Sequence, residues 1–270
     1  ARTSSSITLS WTKGNTGKAE AYRIYSYDAS TKKYTRLCET KAASYKLTGL
    51  KSGTPYIFLI RSLYKDSTGA TVLSEYSTLY YTGTQAVKAT NVKVKSNSDT
   101  YQTISWTKPS SGTVTGYRLY SYNKSTKKYT KLCDTTALSF KVTGLKANTE
   151  YFYLVRSYYK SGSEVILSDY SALLDCATCS KAVTGLKASN VTANSVKLSW
   201  TKASNVTGYN VYLVNSDGSC KLVKSVTSNS CTVSSLKSGT SYKYAVRAYR
   251  TVSGVKYLGF LSNKVSIKTK

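Results

Sequence analysis

Alternating apolar and polar residues divide the chain into many short segments. In Ile7–Trp11, for example, Ile7, Leu9 and Trp11 share one side, and similar runs follow, separated by turns rich in Gly, Ser, Asn, Asp and Lys. A period of two residues is typical of a β-strand that buries one face. No stretch shows the 3.6-residue period of an amphipathic helix. The pattern therefore predicts an all-β protein.

The same order of landmarks occurs three times. A strand ending in Trp is followed by a Tyr-rich strand, then by a Leu-x-x-x-Thr-x-Tyr run and a Val/Ile-Arg strand. The Trp strands end at Trp11, Trp106 and Trp200, which is a domain-sized period rather than that of a solenoid repeat. Short strands in this number favour β-sandwiches. We predict three tandem sandwiches in an extended rod, with boundaries at 1–85, 86–180 and 181–270.

These landmarks resemble fibronectin type III domains. The run Leu50–Tyr56 is similar to their tyrosine corner, in which a Tyr hydroxyl bonds back across a turn between strands. The segments Gly116–Tyr120, Ser125–Leu132 and Val142–Lys146 are similar to tandem modules in secreted and cell-wall proteins of Gram-positive bacteria. The resemblance covers nearly the whole chain. It implies immunoglobulin-like sandwiches and a secreted or cell-surface location.

Repeat 1 departs from this pattern at its start. A leading strand precedes the Trp strand in repeats 2 and 3, within Ala86–Ser96 and Ala182–Thr192, but Trp11 lies only ten residues after Ala1. Truncation is one explanation, and the lack of an initiating Met or signal peptide indicates a processed chain or a fragment. The alternative is an open sheet edge that a strand from another molecule completes.

Composition argues against most enzyme classes. The 270 residues contain no His, so the commonest general base and metal ligand is missing. Only 12 residues are Asp or Glu, which argues against a clustered acidic metal site. We predict no enzymatic activity, no metal and no cofactor. No apolar run approaches the roughly 20 residues that span a bilayer, so no transmembrane segment is expected.

Cysteine positions suggest one disulfide and leave a second open. Cys220 and Cys231 fall where repeat 1 has the aromatic pair Tyr34 and Tyr45. Positions that pack against each other in one repeat are close enough to bond in another. We therefore expect a Cys220–Cys231 disulfide, the alternative being two buried free thiols.

The other cysteines are less informative. Cys176 and Cys179 have C-x-x-C spacing, but no helix start that would lower a thiol pKa is readable there. A local disulfide would require the chain to turn, because the Cα atoms of an extended strand would be about 10 Å apart. Free thiols are therefore expected there, and a local disulfide is the alternative. Cys38 and Cys133 are equivalent positions in different repeats, so neither offers the other a partner within its repeat.

The charge is strongly positive. Lys and Arg number 39 against 12 acidic residues, giving +27, and residues 181–270 contain 14 basic residues and one acid. Basic turns recur in repeats 1 and 2, at Lys32, Lys33, Lys127 and Lys128. Without a helix for a DNA groove or an RNA-binding motif, no specific nucleic-acid partner is expected. Anionic polysaccharide, teichoic acid or a host glycan or protein would suit this charge, and a solvated surface with no dedicated partner is the alternative.

Tyrosine is abundant, with 26 residues. Alternation places a set of Tyr and Arg side chains on the outer face of two neighbouring strands in repeats 1 and 2. This Arg/Tyr face comprises Arg23, Tyr25, Tyr27, Arg61, Arg118, Tyr120, Tyr122 and Arg156. Such side chains either cover one another, with guanidinium stacked on Tyr, or form a contact surface for a sugar or protein.

Together these patterns favour a non-catalytic role outside the cell. The leading interpretation is a spacer or adhesion segment whose basic surface associates with anionic wall polymer or host glycan. One alternative is a specific carbohydrate- or protein-binding module that uses the Arg/Tyr face. Another is a filament subunit completed by strand exchange at the start of repeat 1. The sequence leaves the oligomeric state open.

Overall fold

The computed structural model describes residues 1–13 and 18–270. The regular secondary structure of these residues consists of β-strands. They contain no helix long and apolar enough to cross a bilayer. Repeat 1 contains β1 (Ile7–Ser10), β2 (Ala21–Asp28), β3 (Lys33–Thr40), β4 (Ser44–Leu47), β5 (Pro55–Lys65), β6 (Thr71–Leu73) and β7 (Tyr80–Gly83). Repeat 2 contains β8 (Thr90–Asn97), β9 (Tyr101–Thr107), β10 (Gly116–Asn123), β11 (Lys128–Thr135), β12 (Ser139–Thr143), β13 (Glu150–Ser161), β14 (Glu164–Leu167) and β15 (Leu174–Ala177). Repeat 3 contains β16 (Lys187–Ser189), β17 (Ser195–Ser199), β18 (Gly208–Val214), β19 (Cys220–Val226), β20 (Ser230–Ser234), β21 (Ser241–Val252), β22 (Val255–Leu258) and β23 (Val265–Lys268).

Each repeat packs a larger sheet against a smaller one. In repeat 2 the larger sheet has the order β11-β10-β13-β14, with β15 also paired to β13, and the smaller sheet is β12-β9-β8. The larger sheet has the same order in repeat 1, β3-β2-β5-β6 with β7 on β5, and in repeat 3, β19-β18-β21-β22 with β23 on β21. Strand pairs are antiparallel, as in sandwiches whose inward residues alternate with outward ones. The prediction of an all-β fold with three sandwich repeats is confirmed.

A Trp–Tyr pair anchors each core. Trp106 packs on Tyr117 with ring centres 5.6 Å apart, and Trp200 packs on Tyr209 at 5.3 Å. Both Trp side chains are buried, as predicted from their position at the end of an alternating strand. Aromatic pairs of this geometry stabilise a core beyond their burial alone, by about 1 kcal/mol.

The tyrosine corner is present in all three repeats. The hydroxyl of Tyr56 accepts a hydrogen bond from the backbone N–H of Lys51 at 2.9 Å. Tyr151 and Tyr242 accept the equivalent bonds, each from the residue five positions upstream and each at 2.9 Å. This bond ties the turn before β5, β13 and β21 to the strand that follows it.

The first strand differs between the repeats. In repeat 2, β8 pairs with the Trp strand β9, and in repeat 3, β16 pairs with β17. In repeat 1 the described residues place no such strand on the corresponding edge of β1, which instead carries an isolated bridge between Arg2 and Ile7 and a bond from the Thr8 N–H to the Ala1 carbonyl at 2.8 Å. Trp11 is accordingly less buried than its two counterparts.

Candidate interaction surfaces

The structure places the Arg/Tyr face on the larger sheets of repeats 1 and 2. Arg23 on β2 lies directly opposite Arg61 on β5, and Arg118 on β10 lies opposite Arg156 on β13. Each pair of guanidinium groups therefore shares one sheet face, as the alternation predicts.

Tyr76 in repeat 1 and Tyr170 in repeat 2, which the sequence reasoning missed, cover this face. Tyr76, in the segment after β6, stacks on Tyr34 at 4.7 Å and meets Tyr25 edge-on at 5.3 Å. Tyr34 in turn packs on Tyr27 at 4.9 Å. Tyr25, expected to point into solvent, is only 8% exposed because Tyr76 covers it. We call Tyr25, Tyr27, Tyr34 and Tyr76 the tyrosine cluster of repeat 1.

Repeat 2 contains the same arrangement. Its tyrosine cluster consists of Tyr120, Tyr122, Tyr129 and Tyr170. Tyr170 stacks on Tyr129 at 4.6 Å and meets Tyr120 edge-on at 5.3 Å. The sequence signal was the repeated Leu-Ser-acid-Tyr-Ser segment, which occurs once in each of the first two repeats.

The arginines of the face have partners within their own repeat. The Arg61 guanidinium lies 4.7 Å from the ring centre of Tyr76 and donates to the Ser74 carbonyl at 2.5 Å. Arg156 repeats both contacts with Tyr170 and Ser168, at 4.8 and 2.5 Å. Engaged donors of this kind are not free to bind a ligand without losing an existing contact.

The outer arginines form ion pairs across the sheet. Arg23 Nε donates to Glu39 at 2.8 Å, and Arg118 Nε donates to Asp134 at 2.6 Å. The guanidinium of Arg118 lowers the pKa of the Asp134 carboxyl, which a second hydrogen bond from Lys131 lowers further. The Arg/Tyr face is therefore largely self-covered in both repeats.

Repeat 3 lacks most of these features at equivalent positions. Val214, Cys220 and Leu261 replace three of the four cluster tyrosines, as the strand registers show. The fourth is kept as Tyr212, whose ring centre lies 5.9 Å from the Arg247 guanidinium. The Arg–acid pair is replaced by Asn210 and Ser225, whose hydroxyl donates to the Asn210 side-chain oxygen at 2.8 Å. Its larger sheet therefore presents a different surface.

That surface is basic. Lys243 on β21 and Lys268 on β23 lie on the outer face of the larger sheet, and Lys264 precedes β23 on the same side. All three are exposed. Strand register aligns them with Ile57, Leu79 and Gly83 of repeat 1 and with Phe152, Leu173 and Ala177 of repeat 2. We call Lys243, Lys264 and Lys268 the lysine face.

The positive charge of repeat 3 is uncompensated. No ion pair joins two side chains within residues 181–270, and Arg250 instead pairs with Glu150 of repeat 2 at 3.5 Å. The single acid, Asp217, accepts hydrogen bonds from Ser219 in its own turn, which lower its pKa. Repeats 1 and 2, by contrast, pair arginines and lysines with acids on the same sheet.

The predicted basic turns are exposed hairpins. Lys32, Lys33, Lys127 and Lys128 all face solvent. Lys32 and Lys127 adopt a left-handed conformation with φ of 55°, which a non-glycine residue seldom does. The preceding side chain stabilises each turn, because one oxygen of Asp28 or Asn123 accepts bonds from the next residues.

All six cysteines are free thiols. The predicted Cys220–Cys231 disulfide is replaced by an exposed Cys220, opposite Val214, and a buried Cys231 that packs in the core opposite Leu198. The premise of the prediction was wrong. Tyr34 packs on the outer tyrosine cluster, while Tyr45 packs against the core. The two positions therefore lie on different sides of the larger sheet.

The C-x-x-C disulfide is likewise absent. Cys176 lies fully buried in the core of repeat 2, where its Sγ contacts the Gln102 side-chain oxygen at 3.6 Å. Burial raises its pKa to about 12. Cys179 follows the end of β15, and its backbone N–H donates to the Ser98 carbonyl. Cys38 and Cys133 are half-buried, and burial raises the pKa of both thiols.

Repeats 1 and 2 meet through direct hydrogen bonds. The buried Tyr159 hydroxyl donates to the carbonyl of Thr84 at 2.5 Å and also contacts that of Thr54 at 3.1 Å. The Gln85 side chain donates to Asp169 at 2.6 Å. These contacts seat the end of repeat 2 against the carbonyl groups of repeat 1.

Repeats 2 and 3 also meet directly. Asn148 donates its side-chain N–H to the Ser204 carbonyl at 2.5 Å, and the Phe260 N–H donates to the Ser180 carbonyl at 3.1 Å. Arg250, at the register position of Tyr159, donates to the Asn148 carbonyl at 3.3 Å. Both junctions therefore have specific polar contacts.

A groove of about 440 Å³ lies beside this incompletely paired edge of β1. Leu9, Trp11, Tyr22, Phe58 and Tyr80 line it. The strand-exchange interpretation requires such an edge, and it stays a prediction.

Comparisons with known proteins identify the family. The sequence model of the fibronectin type III domain matches residues 1–77, 86–171 and 181–257. Exoglucanase B of Cellulomonas fimi is 28% identical over 288 aligned residues, covering 99% of this chain and 24% of that protein. Chitinase A1 of Niallia circulans is 31% identical over 168 residues, covering 58% of this chain and 22% of that protein. A crystal structure of chicken CNTN1 FN1-FN3 domains covers 100% of this chain and 96% of its own, with a TM-score of 0.43 and 17% identity.

The chain spans about a quarter of the length of exoglucanase B, so the likeness concerns only that part of the enzyme. The fibronectin type III model, by contrast, matches most of each of the three repeats of this chain. The tyrosine corners and the paired sheets occur in the same three segments. The chain therefore belongs to the fibronectin type III family.

Proposed function

We propose that the chain is a non-catalytic extracellular spacer whose third repeat holds an anionic polymer. Fibronectin type III domains are non-catalytic modules, which supports the first part. Its bacterial relatives include an exoglucanase and a chitinase. Glucans and chitin are polymers too large to enter a cell, so enzymes that act on them work outside it. We therefore place the spacer beside such an enzyme, on or near the surface of a Gram-positive bacterium.

The observation that carries the polymer-binding part is the lysine face. Lys243, Lys264 and Lys268 lie on one sheet face of a repeat with a net charge of +13 and no internal ion pair. Unpaired exposed cations attract a polyanion without first breaking a contact. A regular flat array suits a chain molecule such as wall teichoic acid or an acidic glycan, and it would support adhesion.

The junctions support the spacer role. Direct contacts at Tyr159 and Arg250 order each repeat relative to the next. Interfaces that are held by specific bonds resist bending more than flexible linkers do. Ordered modules would hold neighbouring domains at a fixed separation from the wall.

The test is binding of the full chain to polygalacturonate and to isolated Gram-positive walls, before and after acid extraction of teichoic acid. The variant K243Q/K264Q/K268Q removes the lysine face. At about 150 mM salt, where the Debye length is about 8 Å, each lysine contributes about 0.5 kcal/mol. The variant is therefore expected to bind about tenfold more weakly.

The matched control is K33Q/K127Q/K128Q, which removes the same charge from the basic turns. It is expected to weaken binding less than about threefold, since the lost charges lie far from the lysine face. Equal losses in the two variants would mean that binding follows total charge alone. That result would overturn the lysine face as the binding surface and leave only the spacer role.

The Arg/Tyr face is a weaker candidate for specific binding. Its arginines are engaged by Glu39, Asp134, Tyr76 and Tyr170. Saturable binding that is lost in Arg118→Ala or Tyr120→Ala, while thermal stability is retained, would favour this alternative.

A further inference from the structure

A cleft of about 410 Å³ lies at the junction of repeats 1 and 2. Its floor is the outer face of the larger sheet of repeat 1, where Ile57 and Tyr81 lie directly opposite each other beside Tyr27. One wall is the hairpin between β13 and β14, at residues 160–162. The Ser161 hydroxyl donates to the Thr82 carbonyl at 2.7 Å and so fixes this wall to the sheet.

At the next junction a side chain covers the equivalent floor, although a separate opening of about 640 Å³ lies beside Lys124 and Phe152. Phe152 and Asp175 are the register counterparts of Ile57 and Tyr81. The Lys124 ammonium lies 3.9 Å from the ring centre of Phe152 and 3.4 Å from the Asp175 carboxylate.

Ala29 stands at the position of Lys124 in repeat 1, so no long side chain covers the floor there. Tyr81 replaces the carboxylate that would hold such a cation, and it is 43% exposed. Ala29 and Tyr81 thus leave the floor uncovered and add a tyrosine ring to it.

The rim supplies polar groups. Asp28 uses one carboxylate oxygen, Oδ1, for its bonds from Ser30 and Thr31, and its Oδ2 accepts none within the described residues. Hydrogen bonds from Ser30 lower the pKa of Asp28 to about 2, so it is an acceptor at any working pH. Lys160 adds an exposed ammonium donor on the opposite wall.

Apolar rings beside a few polar groups are typical of a small-ligand site. A sugar ring matches this arrangement, because its C–H face packs on an aromatic ring while its hydroxyls bond to charged groups at the rim. In a β-1,4-linked glucose chain all ring hydroxyls are equatorial, which leaves both faces of each ring apolar.

We propose that this cleft binds a pyranose ring of a neutral β-1,4-linked polysaccharide, with Tyr27 and Tyr81 against its C–H face and Asp28 and Lys160 on its hydroxyls. The proposal is independent of the lysine face, which lies on repeat 3 and acts through charge.

The test is calorimetric titration of the full chain with cellohexaose, chitohexaose and maltohexaose. Saturable binding of a β-1,4-linked hexasaccharide at one site is expected, with little change between about 50 and 500 mM salt because the ligand is uncharged. Tyr81→Ala is expected to weaken it at least about tenfold, in the range of a lost aromatic contact. The matched control is Tyr80→Ala, since this exposed neighbour lines the β1 groove rather than the cleft.

A second variant closes the cleft without removing side-chain volume. A29K/Y81D rebuilds the pair that covers the floor in repeat 2, so it is expected to abolish binding while the thermal midpoint stays close to that of the parent. The proposal would be overturned if Tyr81→Ala and A29K/Y81D both bound the hexasaccharide as tightly as the parent does. It would also be overturned if the parent showed no saturable binding of any hexasaccharide. Equal loss in Tyr80→Ala would also overturn it, by assigning the site to the β1 groove. Polygalacturonate binding by the same variants reports separately on the lysine face and is expected to stay unchanged.

Discussion

Tyr64, Tyr159 and Arg250 occupy one register position in the three repeats, and that position determines how neighbours join. At the first junction the phenol of Tyr159 is completely buried between two backbone carbonyls. At the second, the longer Arg250 reaches both a carbonyl and the Glu150 carboxylate. A change of side chain therefore changes the junction while the fold of each repeat stays the same.

Tyr159→Phe is expected to lower the free energy of unfolding by about 1–2 kcal/mol, because it leaves the Thr84 carbonyl without the hydroxyl that donates to it. Urea denaturation followed by Trp fluorescence measures the change. Tyr64→Phe removes the same atom where the described residues form no such inter-repeat bond, and it should cost less than about 0.5 kcal/mol. Similar losses in both variants would contradict a role of the Tyr159 hydroxyl at the junction.

Thiol reactivity should follow burial. The pKa of Cys176 is raised to about 12 by burial, so at pH 8 only about one molecule in ten thousand carries the reactive thiolate there. Cys220 is exposed. Alkylation with iodoacetamide and peptide mass spectrometry should label Cys220 first and Cys176 only after unfolding. Protection of Cys220 in the absence of reductant, reversed by adding it, would instead support the disulfide expected from the sequence.

At the scale of elements, the tyrosine clusters show how a loop completes a sheet. Tyr170 lies outside the strands but contacts Tyr120, Tyr129 and Arg156 on β10, β11 and β13. The loop thereby covers rings that alternation alone would leave exposed. Repeat 3 carries Leu261 at this position and has no such cluster.

Replacing Tyr170 with Leu, the residue of repeat 3, should destabilise repeat 2 by about 1–2 kcal/mol, since it removes a cation–π contact and two aromatic contacts. Thermal denaturation followed by near-UV circular dichroism tests this. Tyr80→Leu is the control, because Tyr80 is 55% exposed and contacts no arginine in the described structure. A loss no larger than that of the control would contradict the structural role of the cluster.

Local patterns predicted the strands well, because apolar and polar residues alternate regularly in each repeat. A Trp marks the same strand, and a Tyr the same corner, in all three repeats. They failed where two segments distant in sequence meet. The covering of Tyr25 by Tyr76 depends on the path of a loop, and the alignment of Lys243 with Lys264 depends on the register of β21 and β23. The Cys220–Cys231 prediction failed for a related reason, since equivalence between repeats does not say which side of a sheet a residue faces.

At the scale of the whole molecule, the three repeats share a fold but differ in the side chains on their outer sheet surfaces. Repeats 1 and 2 cover their outer sheet with tyrosine and paired charge, whereas repeat 3 leaves lysine unpaired. The floor of the cleft is uncovered at the first junction, whereas Lys124 covers the equivalent floor at the second. Binding is thus expected at distinct places along the array rather than repeated in each module.

The incompletely paired edge of β1 raises the last question at this scale, which is whether copies of the chain assemble. A second copy could complete this edge only by supplying a strand, and the matching strands β8 and β16 already pair with β9 and β17. Releasing either would expose its partner edge and apolar residues such as Val94, so exchange gains little. A net charge of +27 also opposes close approach of two copies.

Sedimentation velocity is therefore expected to show a single 29.6 kDa species at all concentrations up to about 1 mM. Polymers that grow with concentration, and that charge screening by salt promotes, would contradict this and would support the strand-exchanged filament.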